Sequence, residues 1–461
     1  MANENQSEIT RAMVNKYDCQ GPRYTSYPTA PIWREDYTTN DYEAALVQGA
    51  KLPSHPLSIY LHIPFCRKLC WFCGCNKVIS SNQDKASGYL DYVEKEIVHV
   101  ASLLGKRTKV TQLHWGGGTP SLLNLDNTKR AFALINAHFD LQEDAEIAIE
   151  IDPRTADTAK IDLLRSLGFN RLSFGVQDLN ASVQDAIGRE QLESTTIELF
   201  SYSRQLGFSG INLDLIYGLP KQTPKSFIET IDKIIALRPD RVAMYSFAHI
   251  PKVIPGQRLM AADDMPTSHD KLTMFLNAQN QFLAAGYLQI GMDHFVLPQD
   301  ELGNAVVNHT LRRNFMGYTV KSANDWVGFG MSAISFINGQ FIQNHRKNDD
   351  YFKSIDASTM GVHRGMVLSK DDLIRQKVIS MLMCHFEINI EAIEKEFDIV
   401  FDQYFKNEFT RLQPLVKDNL VTVSSKTISA IGIGKTLIRN IAMVFDIYLN
   451  ANQTTQYSKT I

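Results

Sequence analysis

Hydrophobic and polar positions follow two alternating rhythms along most of the chain. Residues 57–63 (Leu-Ser-Ile-Tyr-Leu-His-Ile) alternate with period two, which predicts a strand carrying Tyr60 and His62 on one face. Residues 84–104 then repeat with helical period. The pairing recurs, with strands predicted over 110–115, 146–152, 171–176, 211–217 and 241–247 and helices over 126–139, 158–167, 194–206 and 224–237. Gly168 and Gly207 close two of these helices, since glycine enters the left-handed turn without a Cβ penalty. Six strands alternating with helices predict an α/β fold with a parallel sheet and crossover helices. A partial (β/α)6 barrel fits that count. A flavodoxin-like sheet fits it as well, and periodicity does not separate the two. In either, ligands gather at the C-terminal ends of the strands.

The flanks break the rhythm. Residues 1–50, with Pro22, Pro28, Pro31 and several tyrosines, predict an extended, irregular N-terminal arm. Within it, residues 21–30 mix aromatics, hydroxyls and Arg23, as either a surface linker or a flap over a site. Residues 250–360 are less regular. A helix is predicted over 266–285, and residues 291–295 and 312–319 have the composition of functional loops. After Leu368, Ser369 and Asp372 form a capping-box start to a helix over 370–386. Two more helices to about residue 415, a hairpin over 420–424 and 427–431, and a last helix over 435–449 complete a mostly helical, winged-helix-like domain. The expected division is an arm (1–50), a catalytic domain (51–360) and a C-terminal domain (361–461).

Composition narrows the function. With 461 residues and 44% hydrophobic content, the chain is long enough for a large core. A net charge of −3, from 47 basic and 50 acidic residues, points to neither nucleic acid nor an anionic membrane. No apolar run reaches membrane-spanning length. The N-terminus, Met-Ala-Asn-Glu-Asn-Gln, lacks the regions of a secretory signal, so a cytoplasmic location is expected. Clustered cysteines in that setting argue for metal rather than disulfides.

Four of the six cysteines fall within residues 66–75. Cys66, Cys70 and Cys73 have the spacing C-x3-C-x2-C, which closes three soft thiolates around one iron–sulfur cluster. A cubane held by three ligands keeps one iron open. Structural zinc with Cys75 or His62 is disfavoured, because Cys19 and Cys384 stand alone and supply no second knuckle. Phe72 precedes the third ligand and is placed to touch a molecule at the open iron. Cys75 reads either as a substrate-side thiol or as a small residue in a tight loop. Gly116-Gly117-Gly118-Thr119-Pro120 follows a strand, as a close ligand approach or a plain tight turn. No phosphate loop is present: Ser429 stands where the first glycine of one ending in Gly434-Lys435-Thr436 belongs. Residues 328–333 imitate a dinucleotide fingerprint without the strand–turn–helix around it. Glu150, Gln177 and Asp214 each close a strand on the same nominal end, as solvated caps or, with Arg189, as a cradle for the hydroxyls and charged ends of a nucleoside–amino-acid ligand.

The cysteine motif, the Gly117–Thr119 turn and the βα units resemble the radical S-adenosylmethionine superfamily. Pro22-Arg-Tyr-Thr-Ser-Tyr-Pro28, His62-Ile-Pro-Phe-Cys66, Cys73-Gly-Cys75, His114-Trp-Gly-Gly-Gly-Thr-Pro120, Phe174-Gly-Val-Gln-Asp178, Asp214-Leu-Ile-Tyr-Gly-Leu-Pro220 and Asn314-Phe-x-Gly-Tyr318 run in one order. Together they resemble, over nearly the whole chain, the oxygen-independent coproporphyrinogen III oxidase family. Trp71 stands where a Tyr is common in that family. The resemblance implies a radical-SAM barrel, a [4Fe–4S] cluster on Cys66, Cys70 and Cys73, and two S-adenosylmethionine molecules. It implies contacts to them from Tyr60, Phe72, Gly117, Gly118 and Thr119, and from Glu150, Gln177, Arg189, Asp214, Ala248 and Ile334. Tyr60, Glu150 and Cys75 are the expected catalytic residues. The implied reaction is decarboxylation of two propionates of coproporphyrinogen III to vinyl groups, giving protoporphyrinogen IX in haem synthesis. A one-electron donor protein is the expected partner and a monomer the expected state. Arg23, Arg312 and Arg313 are candidate clamps for the substrate's carboxylates. A haem chaperone of the same superfamily is the rival; such chaperones generally lack the Gly74-Cys75 pair and the Tyr24–Tyr27 segment present here.

Overall fold

The computed structural model describes residues 11–321, 323–449 and 457–460. Six parallel strands form its centre: β1 (Leu57–Ile63), β2 (Lys109–Gly117), β3 (Asp140–Ile151), β4 (Arg171–Gln177), β5 (Gly210–Tyr217) and β6 (Arg241–Ser246), adjacent in that order. Between them run α1 (Gln83–Leu104), α2 (Leu125–Asn136), α3 (Thr158–Ser166), α4 (Glu193–Gln205) and α5 (Pro224–Leu237). Local chemistry starts the helices: the Asn82 side chain accepts from the backbone N–H groups of Asp84 and Lys85, and Thr223 forms a capping box with Ser226 ahead of Pro224. Alternate strand residues (Ile59, Leu113, Ile149, Leu172, Leu213, Val242) are fully buried against the apolar stripes of those helices. The other face of each strand turns inward and is polar, as a partial barrel with an interior site requires.

The sheet continues beyond the six strands. On the far side of β6 lie two short antiparallel strands, β7 (Leu288–Ile290) and β8 (His294–Val296). Next to β1 lies β9 (Asp325–Phe329), parallel to it, followed by antiparallel β10 (Ile334–Ile337), β11 (Gln340–Asn344) and β12 (Val362–Val367). These strands lie in or beside the stretch of weak periodicity, and β7 and β8 have three residues each, too few to establish a rhythm. At the N-terminal ends of β4 and β6, Arg171 and Arg241 pair with Glu146, Asp300 and Glu301 and close the bottom of the barrel with ions rather than apolar side chains.

Two expectations need correction. The arm is not wholly irregular: Arg11–Tyr17 and Thr39–Gly49 are helices. Thr38 and Asp41 form a capping box, and Tyr42, Ala45 and Leu46 bury against the sheet. The helix expected over 435–449 is also absent. In its place are a short α-helix, Ile438–Ala442, and two 3-10 turns beside it, Gly432–Lys435 and Met443–Phe445. Its polar side chains serve tertiary contacts instead: Arg439 donates to the carbonyls of Pro22, Gly21 and Lys459, and Asn440 donates to that of Tyr17. The helices Lys370–His385, Ile390–Phe397, Phe401–Tyr404 and Lys406–Lys417 and the three-stranded sheet of Glu387–Asn389, Thr427–Ala430 and Val421–Val423 build the rest of the C-terminal region. Its core takes in Val14, Tyr17, Tyr24 and Tyr27 from the arm beside Ile374, Leu382 and Ile441. Among the described residues no helix is long and apolar enough to cross a membrane.

One buried network joins β1 to the turn after β9. Tyr89 of α1 donates its hydroxyl to His62 O (2.8 Å) and accepts from Met331 N (3.0 Å). Gly330 has φ +94°, and any Cβ there would overlap the Tyr89 hydroxyl. Glu96, one face further along α1, accepts from Gly330 N (2.8 Å), Asn344 and Tyr351; burial pushes its carboxyl up to about 7. Tyr89→Phe leaves the Met331 amide and one acceptor of His62 unpaired in the interior. We expect it to lower stability by about 1–3 kcal/mol, with faster hydrogen exchange at Met331, read by denaturant titration and exchange mass spectrometry.

Candidate active site

The cysteine loop leaves β1 and is fastened at both ends and in the middle. Val78 N donates to Pro64 O (2.8 Å) and Ser80 N to Cys66 O (3.0 Å), so the loop returns beside its own start. Trp71 N donates to Ile187 O (2.9 Å), and Gly188 leaves room for the Trp71 indole. Cys66 and Cys70 are buried, Cys73 is half-buried and Cys75 exposed, and none is in a disulfide. Donors meet the sulfurs: Thr119 Oγ1 lies 3.4 Å from Cys66 Sγ, and Cys70 Sγ accepts from Arg154 (3.3 Å) and Arg189 (3.5 Å). Asp152 holds both guanidiniums, at 2.7 and 3.2 Å. A hydrogen bond from Cys75, helped by Lys77, outweighs burial and draws the Cys73 thiol down to about 6. Burial pushes Cys66 up to about 11. Among the described residues no three His, Cys, Asp or Glu side chains are grouped to hold a single metal ion. The donor set instead fits an iron–sulfur cluster: three thiols on one short loop, with N–H and O–H donors aimed at their sulfurs.

The glycine turn packs directly on this loop. Gly118 N donates to Ile63 O (2.8 Å), and a Cβ on Gly118 would overlap Pro64 O. Gly117 has φ +120°, and a Cβ there would sit 2.6 Å from the His62 ring. Beside the turn opens a cavity of about 380 Å³ whose wall includes Tyr60, Cys75, Gly117, Glu150 and Ile334. The Tyr60 ring stacks on His114, with centroids 6.1 Å apart and planes at 15°. Glu150 accepts from Gly117 N (3.2 Å) and lies 3.5 Å from His114 Nε2. His62 bonds the carbonyl of Asn76 through Nε2 (3.0 Å), so its proton is on Nε2 and Nδ1 accepts from the Tyr60 hydroxyl (3.1 Å). Burial draws His62 down to about 4, so the ring is neutral at working pH.

A smaller cavity of about 130 Å³ adjoins the first and shares Glu150, His114, Tyr245 and His294 with it. Asp214 lies in its wall and accepts from Ser173 Oγ and Asn212 Nδ2, each at 2.8 Å. The remaining expected residues surround the cavities without lining them. Thr119 and Arg189 meet sulfurs. Gln177 takes a left-handed φ of +67° beside Gly175 and Arg189. Gln257 ties Phe72 O (3.1 Å) to Ala248 O (3.0 Å). Of the three candidate clamps, only Arg313 lines the larger cavity. Arg23 donates to Ser246 O, and Arg312 bonds Asn324 in an outer cleft. Sequence reasoning passed over Asp152, Arg154, His114 and Gln257. The first two stand at the end of β3 just after Glu150, the one signal that pointed toward them.

A partial parallel barrel with a three-cysteine loop after its first strand and a glycine turn after its second defines the class: a radical SAM protein. The Radical SAM superfamily model matches residues 60–234. The chain is 44% identical over 460 residues to the oxygen-independent coproporphyrinogen III oxidase of Salmonella typhimurium, covering 99% of this chain and 100% of that one. It is 45% identical over 452 residues to that of Escherichia coli K12, covering 98% of each. The solved structure of coproporphyrinogen III oxidase from Escherichia coli, described as a radical SAM enzyme, superposes with a TM-score of 0.91 at 43% identity, over 96% of this chain and 99% of that one. The chain belongs to the oxygen-independent coproporphyrinogen III oxidase family.

Burial and the nearby Glu150 raise Asp214 from 3.8 to about 6, against the hydrogen bonds of Ser173 and Asn212. Between those values the unfolded chain ionises while the folded one keeps its proton, so stability falls as pH rises from about 4 to 6 and levels off above. Asp214→Asn removes this loss. Relative to the variant, the wild type should lose on the order of 2–3 kcal/mol across that window, measured by denaturant unfolding at each pH.

Proposed function

We propose that the chain converts coproporphyrinogen III to protoporphyrinogen IX without oxygen, turning two propionates into vinyl groups in haem synthesis. The observation that carries this reading is the convergence of Tyr60, Glu150 and Cys75 on one cavity beside the three-cysteine loop. When bound, the [4Fe–4S] cluster and S-adenosylmethionine would supply what the side chains lack, radical chemistry able to remove a hydrogen from an unactivated propionate carbon.

The chain's own groups bind, orient and exclude water. Cys66, Cys70 and Cys73 hold the cluster, with Arg154, Arg189 and Thr119 placed to donate to its sulfurs. Tyr60, Phe72, Gly117, Gly118, Thr119, Glu150, Gln177, Arg189, Asp214, Ala248 and Ile334 would contact two S-adenosylmethionine molecules, and Cys75 would face substrate. Residues 51–360 carry this chemistry, while the arm (1–50) and residues 361–461 cover it. In support, Thr25 of the arm lines the cavity, and Arg313 donates to Arg23 O and Tyr24 O. Such shielding keeps a carbon radical from water and oxygen. The remaining cysteines, Cys19 and Cys384, sit apart from the loop, so the electron comes from a separate donor protein. We take the enzyme to act as a cytoplasmic monomer.

The test is anaerobic incubation of the reduced protein with coproporphyrinogen III and S-adenosylmethionine, measuring CO2, vinyl product and 5′-deoxyadenosine. Serine at Cys66, Cys70 or Cys73 should each abolish the cluster's visible absorbance and all three products. Cys75→Ser should keep the iron content and lose the vinyl product. A wild-type cluster whose signal is indifferent to S-adenosylmethionine overturns the reading.

A further inference from the structure

The Asp293–His294 pair is left without a task by the function above, although His294 sits in the wall of both cavities. Its stretch, Gly291 to Phe295, has the composition of a functional loop, and the fold turns it into the start of β8. His294 pairs with Ala243 of β6, which pairs with Asp214 of β5, so the edge strand adds His294 to the barrel's polar inner row. Met244 N donates to Asp293 O (2.7 Å) and locks the position.

The pair is built with care. Asp293 is 4% exposed, and its Oδ1 accepts from His294 Nδ1 at 2.7 Å. That bond keeps a proton on Nδ1 and turns Nε2 away from Asp293. Edge contacts with Tyr318 (4.9 Å, 76°) and Tyr245 (5.8 Å, 84°) hold the ring. Nε2 meets no protein acceptor or donor among the described residues, whereas a histidine that only fills a core has both nitrogens satisfied. Arg313 lies over the same Tyr318 ring, 5.3 Å from its centroid, and lines the same cavity. Its NH1 donates to Arg23 O and Tyr24 O, and among the described residues its other nitrogens have no protein acceptor. Burial pushes the Asp293 carboxyl up, but the His294 ring and the Arg313 and Arg23 guanidiniums outweigh it and hold it below its ordinary value. With Nδ1 held by Asp293, Nε2 is the ring atom left to meet a ligand, in the same cavity wall as the Arg313 guanidinium, whose charge complements one carboxylate.

We propose that His294, braced by Asp293, is a substrate-recognition residue that binds one propionate carboxylate of the porphyrinogen jointly with Arg313. This rests on the proposed function and deepens it, because it names the groups that meet the substrate's charge. No covalent or redox step is assigned to His294.

The test uses the full-length protein and coproporphyrin III, an air-stable fluorescent tetracarboxylate, with its tetramethyl ester as the uncharged control. Wild type should bind the acid, and His294→Leu should weaken that binding about tenfold or more, while the ester's weak binding stays the same. His294→Gln, which keeps a polar side chain without the imidazole ring, and Asp293→Asn should weaken it in the same direction. They carry the test if His294→Leu does not fold. In turnover with coproporphyrinogen III, KM should rise more than kcat falls for His294→Gln. Unchanged acid binding in the folded variants, or equal losses for acid and ester, overturns the role of His294 alone. Failure of the wild type to bind the acid overturns the function on which it rests as well.

Discussion

The structure depends on holding three thiols in one place at the open end of a barrel. A short loop cannot do this alone, since its backbone has many conformations and its sulfurs, once ionised, repel one another. The chain solves the first problem by hydrogen-bonding the loop to the end of β1 and to the turn before α4, and by seating Trp71 on a glycine. It solves the second with Arg154 and Arg189, both oriented by Asp152. Burial alone favours a neutral thiol, and it pushes Cys66 up to about 11 although Thr119 donates to its sulfur.

Close packing of the glycine turn on the loop then sets where a ligand can lie. Gly117 and Gly118 lie so near His62 and Pro64 that a side chain on either would displace β1 or the loop. The same approach brings Glu150 to Gly117 N and aligns Tyr60 with a neutral His62. From one side, therefore, the cavity is bordered by carboxylates and hydroxyls suited to an amino acid and a ribose. From the other, contributed by β8 and the Arg312–Asn314 and Gly317–Thr319 hairpin, it is bordered by His294 and the Arg313 guanidinium.

Cover comes from the chain's two ends acting together. Tyrosines of the arm enter the core built by the C-terminal helices, and Arg439 and Asn440 bond the arm's carbonyls. The described part of the arm is thus one packed body with the C-terminal region rather than a loose segment. Its placement is held by buried hydrogen bonds whose loss costs more than an exposed contact would.

Much of the site was legible before folding. The C-x3-C-x2-C spacing, the strand-ending Glu150 and Asp214, and the period-two and period-3.6 stretches are local patterns, and local backbone physics determines them: strands β1 to β6 and helices α1 to α5 came out within a few residues of where periodicity places them, except that β3 starts at Asp140 rather than at Glu146. The edge strands did not, because a three-residue strand such as β8 acquires its conformation only by pairing with β6. Neither did the end of the chain, where apolar spacing suggested a long helix and contacts with the arm broke it into short pieces. Asp152, Arg154 and His294 have no role that their own neighbourhood spells out. Their meaning arises from distant partners, Cys70 for Arg154, Arg189 for Asp152 and Tyr245 for His294, brought within hydrogen-bonding or ring-contact distance by a barrel that no window of sequence contains.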